Sequence, residues 1–158
     1  SVDRPLALLH PGSHGSAGNW PPERFAELAT RLADAGYSVG LTGTEREKEA
    51  FAPHRPNRPN IVDYGGQFDL TQLMALQSAA ALVVASSTGP LHTAAALGTP
   101  CVGLYGPAAP EWAERWAPLG PSVRVCTAEA CTADGALELS VDNVLEACLN
   151  QLPALGQN

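Results

Sequence analysis

Lysine occurs once in this 158-residue sequence, at Lys48, and with arginine it supplies only 9 basic groups against 16 acidic ones. A net charge of −7 leaves no broad electropositive face, which excludes nucleic acid and anionic lipid surfaces as natural partners. Charged residues make up 16% and aromatics 6%, while apolar residues reach 45%, a balance that gives a globular chain with a real core rather than a disordered one. No apolar run approaches the ~20 residues needed to span a bilayer. The opening, SVDRPLALLHPG, lacks the basic segment and long apolar core of a secretory signal, so the chain reads as cytoplasmic. Cysteine is sparse too. Cys101, Cys126, Cys131 and Cys148 include only one close pair, CTAEAC, whose spacing is neither a zinc knuckle nor a redox motif. They read as reduced structural thiols, with no metal site implied.

What is present is a rhythm. Short apolar segments (LALLH, YSVGLTG, NIVDY, ALVVAS, CVGLYG and SVRVC) alternate with helical patterns (PPERFAELATRLADAG, TEREKEAF, DLTQLMALQSAA, PLHTAAALG and VDNVLEACLNQL). Repeated βα units of this kind predict an α/β fold, a doubly wound parallel sheet of about six strands. Right-handed crossovers with one reversal predict the strand order 3-2-1-4-5-6. In the first helix Phe25, Leu28, Ala29 and Leu32 recur at i, i+3, i+4 and i+7; Pro22 sits at its start and Gly36 past its end. Val141, Val144, Leu145, Cys148 and Leu149 are expected to share the buried face of the last helix. No internal repeat or linker interrupts the chain, so residues 1–158 read as a single domain, with a proline-rich loop at 52–60.

In an open parallel sheet, ligands bind beyond the carboxyl ends of the strands, where helix N-termini offer unpaired N–H groups and partial positive charge. After the first strand, HPGSHGSAGNWP combines glycines with Ser13 and His14 in a loop whose backbone can approach a phosphate, though it reads equally as a plain surface loop. After the second strand, Thr44 and Glu47 fit a capping box, and both are also expected among the donor-binding residues, Glu47 standing where an acid would accept hydrogen bonds from a ribose. Phe68 precedes Asp69, an N-cap with Gln72 three residues on. It is therefore either a hydrophobic staple against Leu73 or a ring lying against a nucleobase. The strongest signal is SSTGPLHTAAALGTP. Ser87, Thr88 and Gly89 set hydroxyls and backbone donors beside a helix start at Pro90, an arrangement suited to an oxyanion or a sugar. His92, in the first turn, is either a phosphate donor or a structural histidine.

Over nearly the whole chain, HPGSHGSAGNWPPERFAELATRLADAGYSVGLTGTEREKE followed by SSTGPLHTAAALGTPCVGLYGP resembles the C-terminal half of family 9 glycosyltransferases, the lipopolysaccharide heptosyltransferases. The resemblance implies the Rossmann-like C-terminal domain of a B-type glycosyltransferase, holding a nucleotide-sugar donor, typically ADP-heptose, for inverting transfer to the lipopolysaccharide core. It implies no cofactor and no metal, because helix ends and side chains neutralise the departing diphosphate. By the same resemblance Ser13 touches the diphosphate, Glu47 holds the adenosine ribose and Phe68 packs on adenine. Thr88, Gly89 and His92 are implied to meet phosphate and sugar. The chain departs from the family pattern at Gly18, where a lysine is usual two residues before Trp20, and at Ser87, where an aspartate holds the donor sugar.

The family's general base lies in the N-terminal, acceptor-binding domain, so no catalytic residue is expected in this chain. The expectation is an excised donor-binding half of a protein about twice as long, which by itself does not catalyse and which meets the inner membrane only peripherally, through the whole protein. Two other readings share the architecture: a non-catalytic family member acting as a binding module, and a nucleotide-sugar epimerase domain.

Overall fold

A computed structural model describes residues 4–12, 19–86, 89–107 and 122–156. Leu6–His10 forms β1, Ser38–Leu41 β2, Ile61–Asp63 β3, Leu82–Ser86 β4, Cys101–Tyr105 β5 and Val123–Thr127 β6. These six strands make one sheet in the order β3-β2-β1-β4-β5-β6, with every neighbouring pair parallel. The order expected from the sequence is the order found. The chain builds outward from β1 to β3, then returns to place β4 on the other flank of β1, pairing Ala7 with Leu82 and His10 with Ala85. That reversal opens a crevice above β1 and β4.

The central strands are apolar almost without interruption because both of their faces are covered. β4 and β5 are buried at every position, and β1 at four of its five. Alternate residues serve opposite layers. Ala7 and Leu9 of β1 and Val84 of β4 join the layer built on Trp20, Phe25, Leu28 and Leu32. Leu8, Val83 and Ala85 point the other way, toward Leu91, Ala94 and Tyr105.

Helix α1 (Pro22–Asp34) starts with proline at its first position and buries Phe25, Leu28, Ala29 and Leu32, the stripe that the 3.6-residue period predicts. It stops because Gly36 takes φ +104, which lets Gly36 N–H donate to Ala33 O (3.0 Å) and Tyr37 N–H to Leu32 O (3.1 Å), the paired bonds of a Schellman end. Helix α2 (Glu45–Phe51) runs into a single 3-10 turn, Ala52–His54, inside the proline-rich loop. Helix α3 covers Leu70–Ala79 and α4 covers Gly89–Ala96. Helix α5 (Val141–Gln151) is capped by Ser140, whose hydroxyl accepts from Asn143 N–H at 3.2 Å.

On α5 the sequence reading needs one correction. Val141, Val144 and Cys148 are buried and Leu145 packs against them, but Leu149 is 41% exposed and Ala147 takes the inward place. Leu149 lies one position past the stripe, where the helix surface has already turned to solvent. The sequence reading also missed an antiparallel hairpin of two-residue strands, β7 (Ala130–Cys131) and β8 (Leu137–Glu138). It anchors the chain leading into α1: Leu137 N–H donates to Asn19 O (2.8 Å), and Trp20 Nε1–H donates to Leu139 O (2.7 Å). Trp20 itself is buried edge-on against Phe25, with ring centroids 4.9 Å apart. All four cysteines are free thiols. Among the described residues no helix is long and apolar enough to cross a membrane.

Candidate functional site

The carboxyl ends of β1, β2 and β3 and the start of α4 surround a cavity of about 360 Å³. One wall is the turn after β2, Thr42 to Thr44, with Glu47 from α2; a second is Tyr64, Gly66 and Phe68 from the β3–α3 connection. Leu70 and Leu73 of α3 line a third, Gly89 and Pro90 of α4 close the fourth, and His10 forms the back. Four of the residues singled out from the sequence, Thr44, Glu47, Phe68 and Gly89, therefore meet in one place. His92 is half-buried on α4 and does not line this cavity. Ser13, His14, Gly18, Ser87 and Thr88 lie outside the described residues.

Local chemistry fixes each wall. The Thr44 hydroxyl accepts from Glu47 N–H at 3.2 Å while Glu47 Oε2 accepts from Thr44 N–H at 2.7 Å, so the capping box read from the sequence is formed in full. The carboxylate is held against backbone on the other side. A Cβ added to Gly12 would stand 2.4 Å from Glu47 Cδ, so any larger residue there would displace the carboxylate from its present position. Asp69 and Gln72 form the second capping box, at the start of α3. Phe68, just outside that cap, is 39% exposed with its ring 5.4 Å from that of Tyr64. A tilted pair of rings with an open face is a surface on which another flat ring can lie. Leu73, the staple partner expected for Phe68, lines the same cavity, so the capping position and the cavity wall coincide. Gly66 makes the turn between them at φ +71, with its N–H donating to Gly43 O at 2.8 Å.

His10 is the site residue that the sequence reading passed over. The last residue of β1, it is only 7% exposed. Its Nδ1 lies 3.1 Å from Thr42 Oγ1 and its Nε2 3.6 Å from Glu47 Oε2. The available signal was a titratable side chain closing an otherwise aliphatic strand, LALLH. On the far side of Glu47 a second cavity, of about 490 Å³, is lined by Pro11, Gly12, Trp20, Arg46 and Phe51 among others. Arg46 is the only lysine or arginine among the described residues lining either cavity. Among the described residues there is no group of three or more His, Cys, Asp or Glu placed to hold a metal ion.

A doubly wound parallel sheet that reverses between β1 and β4, with a cavity beyond its strand ends, is a Rossmann-like α/β fold. Residues 1–142 match the family described as glycosyltransferase family 9 (heptosyltransferase). Lipopolysaccharide heptosyltransferase 2 of Escherichia coli strain K12 is 31% identical over 166 residues, which cover 98% of this chain and 48% of that protein. The structure of E. coli ADP-heptose lps heptosyltransferase II aligns with a TM-score of 0.79 at 30% identity, over 96% of this chain and 47% of that one. E. coli heptosyltransferase WaaC, solved with ADP, shares the fold at a TM-score of 0.76 and 24% identity, over 96% and 46% of the two chains. The chain belongs to glycosyltransferase family 9. It spans about half the length of the curated relatives it matches.

Proposed function

We propose that this chain is the donor-binding half of a heptosyltransferase of lipopolysaccharide core synthesis, and that the cavity beyond β1, β2 and β3 receives the nucleotide of ADP-heptose or a closely similar nucleotide-sugar. The observation that carries this reading is the convergence of Glu47, Phe68 and Gly89 on one cavity at the sheet reversal, in a chain similar to an ADP-heptose transferase along 96% of its length. Adenine lies against Phe68 and Tyr64. The ribose hydroxyls donate to the Glu47 carboxylate, a charge-assisted contact stronger than one between neutral groups. From there the diphosphate runs toward the start of α4 at Gly89, where the eight-residue helix presents N–H groups and partial positive charge. The remaining phosphate and sugar contacts are assigned to Ser13, His14, Ser87, Thr88 and His92. Arg46, lining the cavity on the far side of Glu47, is the cation that the described residues offer the diphosphate.

Transfer follows from that placement. An acceptor hydroxyl, deprotonated by a base in the N-terminal acceptor-binding half, attacks the anomeric carbon from the face opposite the nucleotide. The bond to the diphosphate breaks, ADP carries away the electron pair, and the configuration inverts. This chain holds the leaving group and disperses its charge as that bond lengthens, and alone it has no transferase activity. The full-length enzyme works in the cytoplasm, meeting its lipopolysaccharide core acceptor at the face of the inner membrane.

Calorimetric titration with ADP, UDP and GDP tests the reading. ADP is expected to bind at least about tenfold more tightly than the others, a difference of about 1.4 kcal/mol. Absence of binding by all three would leave the chain a non-catalytic binding module.

A further inference from the structure

His10 is hard to explain as packing. The four residues before it in β1 are Leu, Ala, Leu and Leu, and its ladder partner in β4 is Ala85, so a small or aliphatic side chain would fit the sheet without a polar group to satisfy. Burying an imidazole costs free energy unless its nitrogens are bonded. Among the described residues only one of them has a partner at ordinary hydrogen-bonding distance: Nδ1, 3.1 Å from Thr42 Oγ1. Nε2 is aimed at Glu47 Oε2 across 3.6 Å, a contact too long to recover the cost of burial as a direct hydrogen bond. The pair is enclosed on both sides, with side-chain exposures of 9% for His10 and 14% for Glu47.

We propose that His10 is a positioning residue for the nucleotide site, fixing the carboxylate of Glu47 so that it is already oriented when the nucleoside arrives. The proposal rests on the reading that Glu47 receives the ribose. In the proposed arrangement the Thr42 hydroxyl, which also stands 3.5 Å from Leu9 O, donates to Nδ1 at 3.1 Å, and the ring hydrogen sits on Nε2, facing Oε2. The same oxygen accepts from Thr44 N–H at 2.7 Å, and Gly12 lies close against the carboxyl carbon. Glu47 is thus confined from three directions: by its own helix cap, by the strand end beneath it and by the imidazole behind it. When a ribose hydroxyl engages the carboxylate, the Nε2–H 3.6 Å behind it offers an electrostatic contact that favours this rotamer over others. A preset group forfeits less side-chain entropy on binding, so the benefit appears in affinity rather than in the stability of the unliganded chain.

The test is a double-mutant cycle between His10→Leu and Glu47→Gln, read by calorimetric titration with ADP and with adenosine, each variant's melting temperature being recorded alongside. His10→Leu is expected to weaken ADP and adenosine by the same factor, about tenfold. His10→Gln, which restores an N–H toward Oε2, is expected to recover most of that loss. In the Glu47→Gln background His10→Leu should cost less than about threefold, because the group it positions has lost its charge. A full tenfold loss in that background, or wild-type affinity in a folded His10→Leu chain, would overturn the proposal. Should His10→Leu fail to fold, the ring itself is read by NMR in the wild-type chain: the ¹⁵N shifts of the His10 imidazole should move on adding ADP, and unmoved shifts would overturn it. Failure of the underlying reading looks different. There, Glu47→Gln itself leaves ADP affinity unchanged, or the wild-type chain binds no ADP.

Discussion

Replacing Glu47 with alanine separates the two roles this residue holds at one position. Its carboxylate closes the capping box of α2 through the 2.7 Å contact with Thr44 N–H, and a capping contact is typically worth about 1 kcal/mol. In a domain of 158 residues that loss lowers the melting temperature by about 2–4 °C. The same carboxylate is the proposed acceptor for the ribose, and a hydrogen bond to a charged group contributes about 1.5–3 kcal/mol, so nucleotide affinity should fall by roughly 10- to 100-fold. Thr44→Ala is the control. It removes the hydroxyl that accepts from Glu47 N–H but leaves the carboxylate, so it should melt about as early as Glu47→Ala while keeping ADP affinity within about threefold. Differential scanning calorimetry gives the first quantity and isothermal titration with ADP the second. If Glu47→Ala melts early and binds ADP as the wild-type chain does, Glu47 is only a cap and the ribose assignment is wrong.

Three further outcomes are expected. Arg46→Gln should weaken ADP by about tenfold and leave adenosine unchanged, because the guanidinium is assigned to the diphosphate alone; an equal loss for both ligands would refute that assignment. Gln77 is 1% exposed, donates from Nε2 to Pro90 O at 3.0 Å, and buries an Oε1 with no hydrogen-bond partner among the described residues. Gln77→Leu should therefore leave the melting temperature unchanged or raise it, since the unpartnered oxygen disappears with the bond, while ADP affinity falls as the start of α4 loses its tie to α3. A melting temperature lowered by several degrees would contradict this. Burial pushes the Cys101 thiol up from 9.0 to about 11 and that of Cys148 higher still. Unfolded thiols ionise near pH 9 while these stay protonated in the fold, so stability is complete below that pH and declines as pH rises toward 11. Urea midpoints at pH 8 and 10.5 measure the decline, and Cys101→Ala should make it shallower.

The sheet order and the α1 stripe were legible because period and length decide them locally. Five-residue runs such as LVVAS buried on both faces read as strands of a parallel sheet, and Phe25, Leu28, Ala29 and Leu32 can share one face only in a helix. Both capping boxes were legible for a similar reason, since three-residue spacing is a property of the chain and not of its neighbours. The β7–β8 hairpin was not. Its strands are two residues long, too short for any alternation, and they are held by contacts to Asn19 and to Trp20, more than a hundred residues away. His10 escaped notice because its importance lies entirely in what the fold brings to it, Thr42 from the end of β2 and Glu47 from α2. In sequence it is only the last letter of a strand. The two readings of Glu47, cap and ribose acceptor, stayed open because one carboxylate has the geometry for both.

A crystal structure of the chain with ADP decides whether a nucleotide lies in the crevice above the β1–β4 reversal. The base should lie against Phe68 and Tyr64, a ribose hydroxyl within hydrogen-bonding distance of the Glu47 carboxylate, and the β-phosphate near the start of α4 at Gly89. Density for ADP away from this cavity, or no ordered nucleotide at concentrations where titration shows saturation, would contradict this placement.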